Sequence, residues 1–234
     1  NDTLAKGVNK LEKILSLLIN FRSGPHAFCS DIRMAYNQIN LHPEDFRWQK
    51  YLWIDGLKPG NPVRTRIMRT IIYGVCSSGN QTTEGIEKLA TYVESNYPQH
   101  MEGAAVLKEK TYVDDASDSA ETLEELERKI LGVDFTLNLA GMSVKSFTRS
   151  GQVPEETVSQ DGVSVGFLGY RWTPLKDRIS LDIKDLFFGK TIRGRRPQAV
   201  VGGVKEALRP TFTRRTVLGK VAENYDPLGL ITPI

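Results

Sequence analysis

Two adjacent carboxylates, Asp114 and Asp115, constrain what this chain can fold into more than any other feature. They close the run Lys110-Thr-Tyr-Val-Asp-Asp115. Tyr112 and Val113 are strand formers, so residues 105–113 read as a strand, and the Asp-Asp-Ala-Ser-Asp that follows reads as a tight turn. Acids at the mouth of a hairpin can share a divalent cation, and a two-metal phosphoryl-transfer site needs that arrangement plus a third acid. Asp31 is the candidate for the third. It ends the short apolar strand His26-Ala-Phe-Cys-Ser-Asp31-Ile32, so far upstream that only a tertiary fold can join it to the pair. In isolation a strand-terminal Asp is a turn former or a helix cap; Asp31 gains weight only through that pairing.

The rest of the chain supplies the frame. Asn9 can cap a helix over residues 10–22, with Leu11, Ile14, Leu15, Leu18 and Ile19 at helical spacing on one face and Gly24-Pro25 as its stop. One or two helical turns follow Asp31 over residues 33–40, and Pro43 closes that unit. Residues 48–54 and 63–72 are β-rich around the turn Asp55-Gly-Leu-Lys-Pro-Gly-Asn-Pro62, which reads as a hairpin. Arg47, Lys50, Arg64, Arg66 and Arg69 stud it, either as a solvated face or as a phosphate-tracking surface.

The small-residue loop Tyr73-Gly-Val-Cys-Ser-Ser-Gly79 leads into a helix over 80–97 with Ile86, Leu89, Ala90 and Val93 inward. Such a loop allows close backbone approach to a substrate, and it is also ordinary helix-entry punctuation. After the Asp-Asp turn, Thr122 and Glu125 form a capping box for a helix that turns Leu123, Leu126, Ile130, Val133 and Leu137 inward. Residues 140–147 make a turn into a strand carrying Lys145, by default a surface lysine. A loop over 150–162 precedes a second hairpin, residues 163–172 and 178–183. The basic stretch Arg193-Gly-Arg-Arg-Pro197 and a Thr213-capped helix to Tyr225 complete the chain.

Strand, hairpin, helix and strand in this order describe a mixed α+β plan in which one sheet bears acids on two strands. The chain's 234 residues suffice for one or two domains with a sizeable core. Its +3 net charge is weak support for an acidic partner. Cys29 and Cys76 form neither a disulfide framework nor a zinc pattern, which points to a reducing compartment. No apolar run is long enough to span a membrane. With no initiating Met, no signal peptide and an abrupt end at Thr-Pro-Ile, the chain reads as a piece of something longer.

Taken together, the ordered motifs resemble a reverse transcriptase palm, and specifically retroelement polymerases of the BEL/Pao type. Asp31-Ile-Arg-Met-Ala-Tyr36-Asn-Gln-Ile resembles the family's first catalytic motif, and Tyr112-Val-Asp-Asp115 matches its second metal-binding motif. Residues 73–79 resemble the loop that braces template and nucleotide, with Gly79 where the family usually has Pro. Gly141-Met-Ser-Val-Lys145 resembles the segment whose lysine sits near the leaving pyrophosphate. Phe167-Leu-Gly-Tyr-Arg-Trp172 resembles the primer-grip hairpin, and Tyr225-Asp-Pro-Leu-Gly-Leu-Ile-Thr-Pro the start of the thumb.

The resemblance implies an α+β palm, an antiparallel sheet with helices packed on one face. It would occupy residues 1–185 with a fingers hairpin at about 40–72, followed by a basic linker and first thumb helix over 186–234. It implies an RNA-directed DNA polymerase that extends a primer 3′-OH with dNTPs on an RNA/DNA template-primer, using two Mg²⁺ ions for which Mn²⁺ can substitute. Asp31, Asp114, Asp115 and the Ile32 carbonyl would be the ligands and Lys145 the acid at the pyrophosphate. Tyr36 would exclude a 2′-OH, with Tyr73 and Gly74 also at the nucleotide, while Tyr112, Gly169 and Tyr170 would hold primer and template. The nucleotide-gripping fingers residues, the rest of the thumb, and RNase H and integrase parts would belong to a longer polyprotein. Its setting would be a cytoplasmic retroelement particle or the nucleus. A catalytically silent relative that only binds nucleic acid or a partner, and an RNA-directed RNA polymerase, are the alternatives.

Overall fold

The structure, a computed structural model, describes residues 2–58, 60–155, 163–181, 214, 215, 218 and 226–229. The strand expected at residues 26–32 forms over that span as β1 (His26–Ile32). It lies inside a four-stranded antiparallel sheet with β4 (Thr111–Tyr112), β5 (Asp115–Ala120) and β6 (Val144–Arg149), in the order β4-β5-β1-β6. The β1–β5 register runs from His26 opposite Ala120 to Asp31 opposite Asp115.

Side chains alternate across a sheet, so this register sorts them into two faces. One face carries Phe28, Ile32, Ala116 and Ala120. It is covered by α2 (Ser78–Asn96), α3 (Met101–Glu109) and α4 (Leu123–Leu139), whose Ile86, Val93, Val106, Leu126 and Val133 complete the main core. Full burial of a ring such as Phe28 contributes roughly 2–3 kcal/mol. The other face carries Ala27 and Cys29 toward one end and Asp31 and Asp115 toward the other. Over the Ala27 end lie α1 (Ile14–Phe21) and a small sheet of β7 (Val165–Phe167), β8 (Tyr170–Thr173) and β9 (Arg178–Ser180). Phe21 stacks there against Phe167 at 4.4 Å and Trp172 at 4.8 Å. The chain adopts the expected α+β class, with α2, α3 and α4 on one face of the antiparallel sheet and α1 over one end of the other.

Several local expectations are corrected. Residues 105–113 are not one strand: most of them form α3, and only Thr111 and Tyr112 are extended. The helix is selected by its neighbour. Gly103 of α3 and Gly132 of α4 bring their backbones so close that a Cβ on either would collide with the other helix. Asp115 to Asp118 is likewise no turn but the first part of β5. Asp118 is 1% exposed within that strand, held by Lys110 at 2.7 Å and Lys129 at 3.0 Å.

The first helix starts at Ile14, and Asn9 accepts from the Leu11 N–H outside it. Its buried face is Leu17, Leu18 and Phe21, whereas Leu11, Leu15 and Ile19 are exposed. The apolar arc is wide, with only Ser16 and Asn20 polar, and within it Ile14, Leu17, Leu18 and Phe21 are the residues that meet the second core. Leu123 is also exposed, one turn outside the buried Leu126, Ile130, Val133 and Leu137. The capping box forms, with the Glu125 N–H donating to the Thr122 hydroxyl at 3.2 Å.

The expected strand 163–172 is broken at Leu168 and Gly169, both at positive φ, so this unit has three short strands. In the first hairpin, β2 (Lys50–Ile54) pairs with β3 (Val63–Ile67), and Trp48 falls in a 3₁₀ turn over Pro43–Trp48. Neither Cys29 nor Cys76 is in a disulfide, and Cys76 donates to the Leu4 carbonyl at 3.5 Å. No helix among the described residues is long and apolar enough to cross a membrane. The Arg193–Pro197 stretch lies outside the described residues. So does most of the last helix, of which Arg214, Arg215 and Leu218 are helical.

Candidate active site at the acidic end of the sheet

Tyr112 pairs with Asp115, leaving Val113 and Asp114 as a two-residue hairpin turn. Val113 stands at φ 60°, a left-handed conformation that a β-branched side chain adopts only under strain. That turn places Asp114 beside the end of β1, where its carbonyl accepts from the Ile32 N–H at 2.8 Å. Asp31 is directly opposite Asp115 across the ladder, and paired residues project from the same face. The fold therefore brings the distant acid to the adjacent pair.

Lys145 reaches the group from β6, with Nζ 2.7 Å from Asp31 Oδ1. The contact is an ion pair by distance but lacks hydrogen-bond alignment. Among the described residues the enclosed Oδ1 has no aligned donor. Lys145 is thus more than a surface lysine: Asp31 foremost, with Asp114 and Asp115 beyond it, raises its pKa.

Like charges shape the carboxyls. Burial, then the charges of Asp114 and Asp31, push Asp115 up to about 7. Burial followed by the Asp31 charge raises Asp114 as well. The set is short of positive charge, as hard oxygen donors awaiting a cation would be. Among the described residues no three His, Cys, Asp or Glu side chains already stand at mutual ligand distance. Three carboxylates at one end of the sheet are hard oxygen donors of the kind that suits a divalent cation, one of them already paired with Lys145. A cavity of about 130 Å³ opens beside the acids, lined by Asp31, Asp115, Lys145, Thr148, Gly166 and Phe167.

A second group borders the first. Tyr36, in the 3₁₀ turn Ala35–Gln38, meets Tyr73 edge to face at 4.5 Å between ring centres. Its hydroxyl lies 3.8 Å from where a Cβ on Gly79 would stand. Burial first, then the Asp114 and Tyr73 charges, raise the Tyr36 pKa, which puts the phenol within electrostatic reach of the acids. Gly74 has φ 87°, and nothing lies within 4 Å of where a Cβ on it would stand. Tyr112 and Tyr170 pack with the second core, Tyr170 at 4% exposure, while Gly169 forms the tip of the β7–β8 turn at φ 85°.

One wall of this region was not foreseen. Residues 6–11 run across Tyr36, Gly79, Asn80 and Val113 around a space of about 340 Å³. Asn80 donates to the Val8 carbonyl at 2.6 Å, and Lys10 binds Glu84 at 2.5 Å and Glu87 at 2.6 Å. The available signal was Gly7, whose φ of 81° favours glycine and whose backbone passes close to the Asn80 side chain.

No family model matches the chain, and no curated protein sequence matches it. Among solved structures it is similar to a foamy viral protease-reverse transcriptase in complex with an RNA/DNA hybrid, at 19% identity and a TM-score of 0.46. That similarity covers 70% of this chain and 18% of the viral one.

Proposed function

We propose that this chain is the palm of an RNA-directed DNA polymerase of the BEL/Pao retroelement type, with part of the fingers and the start of the thumb. The observation that carries the reading is the register placing Asp31 opposite Asp115, with Asp114 in the adjoining turn and Lys145 on Asp31. In this reading residues 1–185 form the palm with a fingers hairpin near 40–72, and 186–234 lead into the thumb. The particle-borne setting and the other polyprotein parts are proposals of the same kind.

The substrates are a primer 3′-OH and a dNTP on an RNA or DNA template. Asp31, Asp114 and Asp115, with the Ile32 carbonyl, would hold two Mg²⁺ ions, which when bound would supply positive charge to the attacking 3′-OH and the leaving pyrophosphate. Lys145, whose pKa Asp31 and then Asp114 and Asp115 raise, donates in this reading to a pyrophosphate oxygen. Tyr36, buttressed edge-on by Tyr73, presents a fixed ring where a 2′-OH would otherwise fit. Gly74 allows the backbone to approach the nucleotide, and Tyr112 with the Gly169–Tyr170 turn positions the primer end. That positioning matters because in-line attack fails when the 3′-OH is misplaced.

Primer extension by the chain in its full-length context tests the proposal. Labelled primer on an RNA template grows with dNTPs and Mg²⁺ or Mn²⁺, and Asp114→Asn lowers the rate by at least about a hundredfold, the loss of several kcal/mol of charge stabilisation. No extension by intact wild-type protein, or a normal rate in the variant, refutes it.

A further inference from the structure

The turn that carries Asp114 is weakly held by its own strands. β4 is two residues long and lies at the edge of the sheet, bonded among the described residues to β5 alone. The hairpin contributes two residue pairs, Thr111–Ala116 and Tyr112–Asp115. Hairpins this short are marginal by themselves. The turn is also strained, because Val113 stands at φ 60°, and such strain persists only where the surroundings over-determine it.

The surroundings close the hairpin at its base. The Lys110 carbonyl accepts from the Ser117 N–H at 3.2 Å, and the Lys110 ammonium donates to Asp118 Oδ1 at 2.7 Å. Asp118 is 1% exposed and pairs with Phe28 on the helix-covered face. A second cation reaches the same carboxylate from α4. Lys129 lies 3.0 Å from Oδ2, and it also binds Glu125 at 2.8 Å and the Ser119 carbonyl at 2.7 Å. The two lysines differ in what they span. Lys129 ties α4 to β5, whereas Lys110 ties the two legs of the hairpin to each other, just ahead of the acidic turn. Apolar side chains of similar volume often serve stability as well as a buried ion pair; what the pair adds is a fixed geometry. At its far end the turn is joined to β1 through the Ile32 N–H, which donates to the Asp114 carbonyl at 2.8 Å.

We propose that Lys110 and Asp118 are positioning residues: their ion pair clamps the β4–β5 hairpin so that the Val113–Asp114 turn stays seated against β1, with Asp114 beside Asp31. The purpose of that seating, metal binding, rests on the polymerase reading; the clamp itself does not.

Amide hydrogen exchange at Ile32, followed by NMR in the metal-free 234-residue chain, reads whether the turn is seated, while the slowest amides report global opening. Lys110→Met speeds exchange at Ile32 about tenfold beyond any change at the slowest amides, and Lys110→Arg restores most of the protection. Lys129→Met removes the other cation from the same carboxylate and leaves Ile32 in step with the slowest amides. The double variant Lys110→Met/Asp118→Leu, which makes the pair apolar, recovers the melting temperature but not the protection at Ile32. Mn²⁺ affinity, read by water-proton relaxation, falls about tenfold in Lys110→Met and is unchanged in Lys129→Met. Unaltered exchange at Ile32 in Lys110→Met overturns the clamp. So does an equal acceleration in Lys129→Met, which would make the cluster a general support for the fold. A wild type that takes up no Mn²⁺ refutes the polymerase reading, and the exchange rates still decide the clamp.

Discussion

Replacing Asp115 with Asn should make the protein more stable at neutral and alkaline pH. The carboxyl is mostly buried, directly opposite Asp31 and adjacent to Asp114, and is pushed up to about 7. Its unfolded counterpart titrates near 3.9, so between about pH 4 and pH 7 the folded chain holds a proton that the unfolded chain has released. Native stability therefore falls as pH rises through that window, and the full penalty is present above it. A displacement of about three pH units corresponds to a ceiling near 4 kcal/mol. Burial and the charges of Asp114 and Asp31 make up that displacement and Lys145 offsets part of it, so the net gain for Asp115→Asn is expected at about 1–3 kcal/mol near pH 8. For a chain of this size that raises Tm by about 3–10 °C. Circular-dichroism melting of both proteins in EDTA from about pH 4 to 8 reads the effect, since below the window neither form is charged. Added Mn²⁺ should then stabilise the wild type more than the variant. A variant no more stable at high pH, or equally stabilised at both ends of the range, refutes the argument that crowded carboxylates strain this end of the sheet.

Tyr36→Ala should raise ribonucleotide over deoxyribonucleotide incorporation by about tenfold or more, the scale of a lost steric contact, and an unchanged ratio in competition assays removes the gate assignment. Val113→Gly should add about 1 kcal/mol in urea denaturation, because glycine accepts the positive φ at which Val113 is strained. Gly103→Ala should cost about 1–3 kcal/mol in the same assay, since its methyl would meet the α4 backbone, and neutral behaviour contradicts the close packing of these helices.

Elements whose residues carry their own instructions were legible one segment at a time. Phe28 and its neighbours marked β1, Thr122 with Glu125 marked the start of α4, and the Gly- and Pro-containing turn at 55–62 marked the first hairpin. The same local logic failed at residues 105–113. There apolar residues suit either strand or helix, and contact between Gly103 and Gly132 made the choice. It failed again at α1, whose apolar arc is wide enough to hold Leu15 and Ile19 as well, so that contact of Phe21 with Phe167 and Trp172 fixes which part is buried. The individual acids were visible from the outset.

Residue order alone determined which groups were available: three carboxylates, a lysine, a tyrosine beside a small-residue loop, and a basic hairpin. Tertiary structure decided which of them meet. One ladder register sets Asp31 against Asp115, and another pairs Tyr51 with Arg66 and Trp53 with Arg64 across the basic hairpin. The physical reason is the two-residue period of a strand, where a slip of one position sends every side chain to the opposite face. Partners across the chain, not neighbours along it, hold that register in place.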